Sequence, residues 1–149
     1  MASTFTNLLF HLAFSTKDRA PLLTEGLQER LYSYIGGIVR DEEGALLAAG
    51  GMPDHVHLLA CFKADTSVAE MVRRIKANSS KWIHQEDARR HFAWQTGYGG
   101  FSVSESQKDS VKRYIQEQPQ HHARLSFREE LIALLERHQI AYDERYLLG

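Results

Sequence analysis

The stretch GALLAAGGMPDHVHLLACF, Gly44 to Phe62, decides how the chain is read. Gly44–Met52 is a short apolar segment ending in glycines, and Asp54–Phe62 is a second one. Pro53-Asp54 marks the turn between them. Two neighbouring strands therefore stand near the middle of the chain. Side chains alternate across a strand, so Val56, Leu58, Ala60 and Phe62 share one face. His55, His57, Leu59 and Cys61 share the other. Two imidazoles at i and i+2 on one face can converge on a single cation. They can equally decorate an exposed sheet surface, and two ligands alone do not make a metal site.

Outward from this pair the pattern repeats. Ahead of it, TFTNLLFHLAFST (4–16) alternates, with Thr6, Leu8, Phe10, Leu12 and Phe14 on one face and Asn7, Leu9, His11 and Ala13 on the other. His11 falls on the outer sheet face as a hydrogen-bonded histidine. Thr24 then opens a helix with Leu27, Leu31, Ile35 and Ile38 on one side, weakened near its end by Gly36 and Gly37. After the pair, Ser67 and Glu70 form a capping box. It opens a helix whose inner face carries Val68, Met71, Val72, Ile75, Ser79, Trp82 and Ile83. FAWQTGYGGFSVS (92–104) is aromatic and extended. Ser104 with Gln107 caps a third helix through Val111, Tyr114, Ile115 and Gln118. Ser126 with Glu129 caps a fourth, carrying Phe127, Leu131, Leu134 and Leu135, and the tail from Ile140 is irregular. The first six elements run strand, helix, strand, strand, helix, strand. This is the βαββαβ order of a ferredoxin-like α+β sandwich, with two helices on one sheet face and the other face open for function. The fold by itself names no activity.

The chain of 149 residues reads as one domain, 1–149, with 126–149 a C-terminal helical extension. It is 43% hydrophobic and carries a formal net charge of −1, so it can bury a core and has no global basic field. Its one cysteine, Cys61, allows no internal disulfide, which fits a cytoplasmic setting. No apolar run is long enough to span a bilayer.

Tyr114 and Gln118 stand four apart and so share a helix face. Pro119 follows directly and should kink or end the helix there. Beyond it His121 and His122 read as a surface pair, or as groups that ligate metal or touch phosphate. Lys63, Arg73, Arg74, Lys76, Lys81, Arg89 and Arg90 make the middle segment locally basic. Arg73, Lys76 and Lys81 are the candidate DNA contacts. Trp82, Trp94, Tyr98 and Phe101 are either core or base-stacking aromatics.

The succession MPDHVHLL (52–59), SVAEMVRRIKANSSKWI (67–83) and WQTGYGGFSVSESQKDSVKRYIQEQ (94–118) resembles the HUH-type single-tyrosine transposases. These belong to small IS200-like insertion sequences and include the REP-associated tyrosine transposases. FHLAFSTKDR (10–19) looks like the family's first strand, and SFREELIALLERHQIAYDERYL (126–147) is similar to the extension many members carry. The resemblance implies the same βαββαβ core, His55 and His57 as metal ligands, Gln118 as the third, and Tyr114 as the nucleophile. It implies a divalent ion, Mg²⁺ or Mn²⁺, and cleavage and rejoining of single-stranded DNA at hairpin-bearing ends through a 5′-phosphotyrosine. It also implies a homodimer, in which the tyrosine helix serves its own chain or the partner's histidines. Two other readings stand beside it: a non-catalytic nucleic-acid module with an RNA-recognition-like sheet, and a related nickase.

Overall fold

The computed structural model describes residues 3–87, 91–122 and 125–149. The elements are β1 (Leu8–Ser15), α1 (Glu25–Asp41), β2 (Ala45–Met52), β3 (His55–Phe62), α2 (Val68–Glu86), β4 (Gly99–Val103), α3 (Lys108–Gln116), α4 (Gln118–His121) and α5 (Phe127–Arg137). The four strands form one antiparallel sheet in the order β2-β3-β1-β4. The βαββαβ expectation holds, and the histidine strand lies at the centre of the sheet, paired on both edges.

The alternation read from the sequence sets the layers. Leu12, Phe14, Val56, Leu58, Ala60 and Phe62 point to one side and bury against Leu27, Leu31 and Ile35 of α1 and Met71, Val72 and Ile75 of α2. Each fully buried residue of this size contributes roughly 1.5–3 kcal/mol. Gly36 and Gly37 do not shorten α1, which continues to Asp41 because Ile35 and Val39 are held in the core on either side. Ser67 Oγ accepts from the Glu70 amide at the start of α2, and Ser126 with Glu129 closes a full capping box on α5. The box expected at Ser104 does not form. A 3-10 turn at Glu105–Gln107 intervenes, Ser104 Oγ bonds Ser106 instead, and α3 starts at Lys108.

The second sheet face is not open, as the sequence had suggested. α3 lies over it with Ile115 against Ala48 and Leu59, and α5 lies over it with Phe127, Leu131 and Leu134 against Ala13 and Phe101. The physical reason is that α3 and α5 are amphipathic and need an apolar partner. The face carrying Leu9, Ala13 and Leu59 provides one. Gly50 permits the approach: a Cβ there would collide with the Ile115 carbonyl oxygen, so α3 meets β2 backbone to backbone.

Candidate active site and metal centre

His55 and His57 lie side by side on β3, facing α3 and α5, and both are completely buried. A buried imidazole needs a partner on each nitrogen, and the chain provides them. His55 Nδ1–H donates to Asp54 Oδ1 at 2.7 Å, which turns Nε2 inward. His57 Nδ1 stands 2.8 Å from His11 Nε2, so one proton serves that pair and the His57 Nε2 also faces inward. His11 is thus a hydrogen-bonded histidine, as read from the sequence, and its partner is a site residue.

The inward nitrogens meet two groups from beyond the sheet. His55 Nε2 is 3.0 Å from Gln118 Oε1. Gln118 keeps this aim although the helix breaks where Pro119 demanded: α3 ends at Gln116, and α4 restarts at Gln118 with Pro119 in its first turn, where a missing N–H costs nothing. Tyr114, one turn earlier on α3, is half-buried over the same pair, its ring 5.8 Å from the His57 ring and 6.1 Å from the His11 ring. The tyrosine therefore stands over the histidines of its own chain.

The centre of the cluster is Glu130 of α5, a residue sequence reading passed over. Its Oε1 takes the His57 Nε2–H at 2.7 Å and lies 3.0 Å from His122 Nε2 and 3.6 Å from His55 Nε2. Its Oε2 accepts from the Tyr114 hydroxyl and, at 3.1 Å, from the Gln118 amide. A signal was present: Phe127, Leu131 and Leu134 make the buried stripe of α5, and Glu130 falls within that stripe. A carboxylate on an apolar helix face needs a partner inside. His122 is no surface residue either. Its side chain is almost wholly buried, with Nδ1–H donating to the Leu125 carbonyl and Nε2 lying 3.0 Å from Gln118 Oε1.

Electrostatics follow from burial and this crowding. Burial pushes the Glu130 carboxyl up, but hydrogen bonds from His122 and His57 outweigh it and hold the group well below the usual carboxylate range. Burial and its neighbour His57 lower His11 to about 3, so the ring is neutral. Burial likewise lowers His57 against the pull of Glu130. For His122 the balance tips the other way: burial lowers it, and the Glu130 bond and charge raise it further than that. The Tyr114 phenol is pushed up by burial and then by Glu130, while Gln118 and Arg137 pull it down.

One donor atom each from His55, His57, His122 and Glu130 lie within 4.8 Å of one another. A six-coordinate ion with bonds of about 2.1 Å separates adjacent ligands by about 3.0 Å and opposite ones by about 4.2 Å. These four donors could close on one small divalent cation, and Gln118 Oε1 lies 3.0 Å from both His55 Nε2 and His122 Nε2. The backward bonds from His55 to Asp54 and from His57 to His11 are the outer-shell supports such ligands ordinarily carry.

The basic residues are elsewhere. Arg73, Lys76 and Lys81 lie on α2, across the sheet from the histidines. Arg73 pairs with Glu70. Lys76 Nζ donates to the carbonyls of Gln95, Thr96 and Gly97, and burial lowers it to about 8, so it tethers the loop before β4. Lys63 pairs with Glu43 and Asp65, and Arg74 with Glu42 and Glu70. Arg89 and Arg90 lie outside the described residues, as does the His121 side chain. Trp94 and Phe101 are core, Trp82 stacks on Tyr34, and Tyr98 is exposed.

Residues 4–118 match the family model for IS200-like transposases. The ISDra2 transposase TnpA of Deinococcus radiodurans is 24% identical over 117 residues, covering 74% of this chain and 84% of the relative. Two solved structures share the fold. A protein of Deinococcus radiodurans R1, crystallised as a candidate transposase, superposes with a TM-score of 0.65 at 23% identity, over 79% of this chain and 95% of that one. A REP-associated tyrosine transposase bound to a REP hairpin superposes with a TM-score of 0.60 at 17% identity, over 82% of this chain and 74% of that one. The family match ends at Gln118, so His122 and all of α5 lie beyond it.

Proposed function

The chain belongs to the IS200-like transposases, and from that premise we propose that it cuts and rejoins single-stranded DNA at hairpin-bearing ends, with Tyr114 as nucleophile. The observation that carries this reading is the meeting, within one chain, of the Tyr114 hydroxyl, the Gln118 amide and the His55–His57 pair around Glu130. His55, His57 and Gln118 would hold Mg²⁺ or Mn²⁺, and His122 and Glu130 would complete the shell. Three imidazoles favour Mn²⁺ over the oxygen-seeking Mg²⁺. A divalent cation there supplies Lewis-acid polarisation of a phosphoryl oxygen and a counter-charge for the transition state.

The protein's own groups do the rest. Glu130 Oε2, by taking the phenol's hydrogen bond, fixes Tyr114 Oη beside the cluster. On attack the bond from Oη to phosphorus forms and the bond from phosphorus to the 3′ oxygen breaks. The phenol gives up its proton as Oη bonds to phosphorus and the departing 3′ oxygen takes one up, both exchanged through solvent, while Glu130 stays ionised and holds the hydroxyl in place. One phosphate ester replaces another, so a 3′-hydroxyl from a second strand can reverse the step without a nucleotide cofactor. In this reading Tyr114 and Gln118 serve the histidines of their own chain. The non-catalytic reading is disfavoured because the sheet face it would use is covered by α3 and α5.

The test is a labelled library of hairpin-ended single-stranded DNA incubated with the protein and Mn²⁺, followed by a denaturing gel. A covalent adduct is expected, abolished in Tyr114→Phe and reduced at least a hundredfold in His57→Ala. Absence of adduct across the library, or an adduct that survives Tyr114→Phe, overturns the assignment.

A further inference from the structure

A groove of about 530 Å³ runs between β4, α3 and α5 and has Tyr114 in its wall. That size suits a small organic ligand, for which clefts of about 300–1,000 Å³ are usual. Phe101, Val111 and Leu134 give it apolar walls. His138 lies flat on Phe101, with ring centroids 4.6 Å apart and an angle of 26° between the planes. Arg137, also in its wall, is exposed on the last turn of α5, and among the described residues no carboxylate pairs with its guanidinium. An anion grip, a π surface and Tyr114 thus line one cleft, a combination that suits a phosphate carrying a base.

We propose that this groove seats the nucleotide adjoining the scissile phosphate of a single DNA strand, with Arg137 gripping a phosphate and the His138 ring, backed by Phe101, offering its face to the base. The inference rests on the strand-transfer reading above and extends it to residues that the family match does not reach. Arginine suits the role because its planar fork can hold two phosphate oxygens at once. Stacking on an aromatic ring tolerates any base, so the groove positions a strand without reading its sequence.

Two measurements on the full chain test it. The first is fluorescence anisotropy with fluorescein-labelled (dT)12 in EDTA, which reads strand binding apart from metal and chemistry. Arg137→Gln is expected to weaken binding about tenfold and to reduce the dependence on salt by about one phosphate contact, with Arg137→Lys recovering part of both. The second uses the unaltered chain and (dT)12 carrying 5-iododeoxyuridine, cross-linked by light and mapped by mass spectrometry. Cross-links to Phe101 or His138 are expected. Failure of (dT)12 to bind, unchanged affinity and salt dependence in Arg137→Gln, or cross-links confined to α2 would each overturn the proposal. The adduct assay fails separately: cross-links here without any adduct keep the strand seat and remove the chemistry, and an adduct with unaltered Arg137→Gln binding does the reverse.

Discussion

Glu130 touches both halves of the site at once, the imidazoles through one oxygen and the tyrosine through the other. Glu130→Gln retains the shape and removes the charge. It should weaken Mn²⁺ binding, read by electron paramagnetic resonance titration, about 10–100-fold. Because the carboxylate holds the Tyr114 proton in place, the same substitution should shift the phenol's ultraviolet titration to lower pH. An unchanged Mn²⁺ affinity would remove Glu130 from the shell. His11 makes a second prediction, for the metal-free protein. Its folded pKa of about 3 lies below the unfolded value of 6.5, so the unfolded chain binds the extra proton between those limits. Stability from this ring is fully present above pH 6.5 and lost as pH falls towards 3. The raised pKa of His122 acts in the opposite sense, so the comparison is made with His11→Asn. Between pH 7 and pH 4.5 the wild-type Tm should fall by roughly 5–10 °C more than that of the variant. Equal slopes would show that His11 does not titrate as placed.

At the scale of elements, α3 carries the nucleophile and its seat depends on Gly50. Gly50→Ala forces a methyl against the Ile115 carbonyl, which should cost about 1–3 kcal/mol and displace Tyr114. Adduct yield should fall more steeply than thermal stability. Gly36→Ala is the contrasting change: in the middle of α1 an added Cβ meets only the Leu46 side chain, at 3.7 Å. It should stabilise by about 0.5–1 kcal/mol and leave adduct formation unaltered. If both variants behave alike, the close approach of α3 to β2 is not what holds the tyrosine. Pro119 shows how a local rule and a site coexist. It ends α3 as its ring demands, and the break costs Gln118 nothing because the next helical turn begins at Gln118 itself.

Over the whole molecule, α5 joins the C-terminal segment to the sheet that α1 and α2 cover from behind. Tyr114, Gln118 and Glu130 all reach the histidines of the same chain. A mixture of Tyr114→Phe and His57→Ala proteins should therefore form no more adduct than the two separately. Restored activity in the mixture would show that the tyrosine helix exchanges between copies. Among the described residues no helix is long and apolar enough to cross a membrane.

Much of this was readable before folding. Period-two alternation placed His55 and His57 on one face of a central strand, and helical spacing placed Tyr114 beside Gln118, because backbone geometry alone fixes those relations. The segment order pointed to the family over the residues that carry it. Glu130 and Arg137 were not legible in the same way, and His122 only as one alternative to a surface residue. Glu130 and His122 meet the histidine strand only across a long stretch of chain, 73 residues between His57 and Glu130, and periodicity tells which side of a helix is apolar but not what lies against it. Only the docking of α3 and α5 onto the second sheet face decided that it would be covered. That burial desolvated the two histidines and made a carboxylate from the last long helix their neighbour. Only a close tertiary neighbour can compensate a buried charge, and folding selected Glu130 and His122 for that exchange.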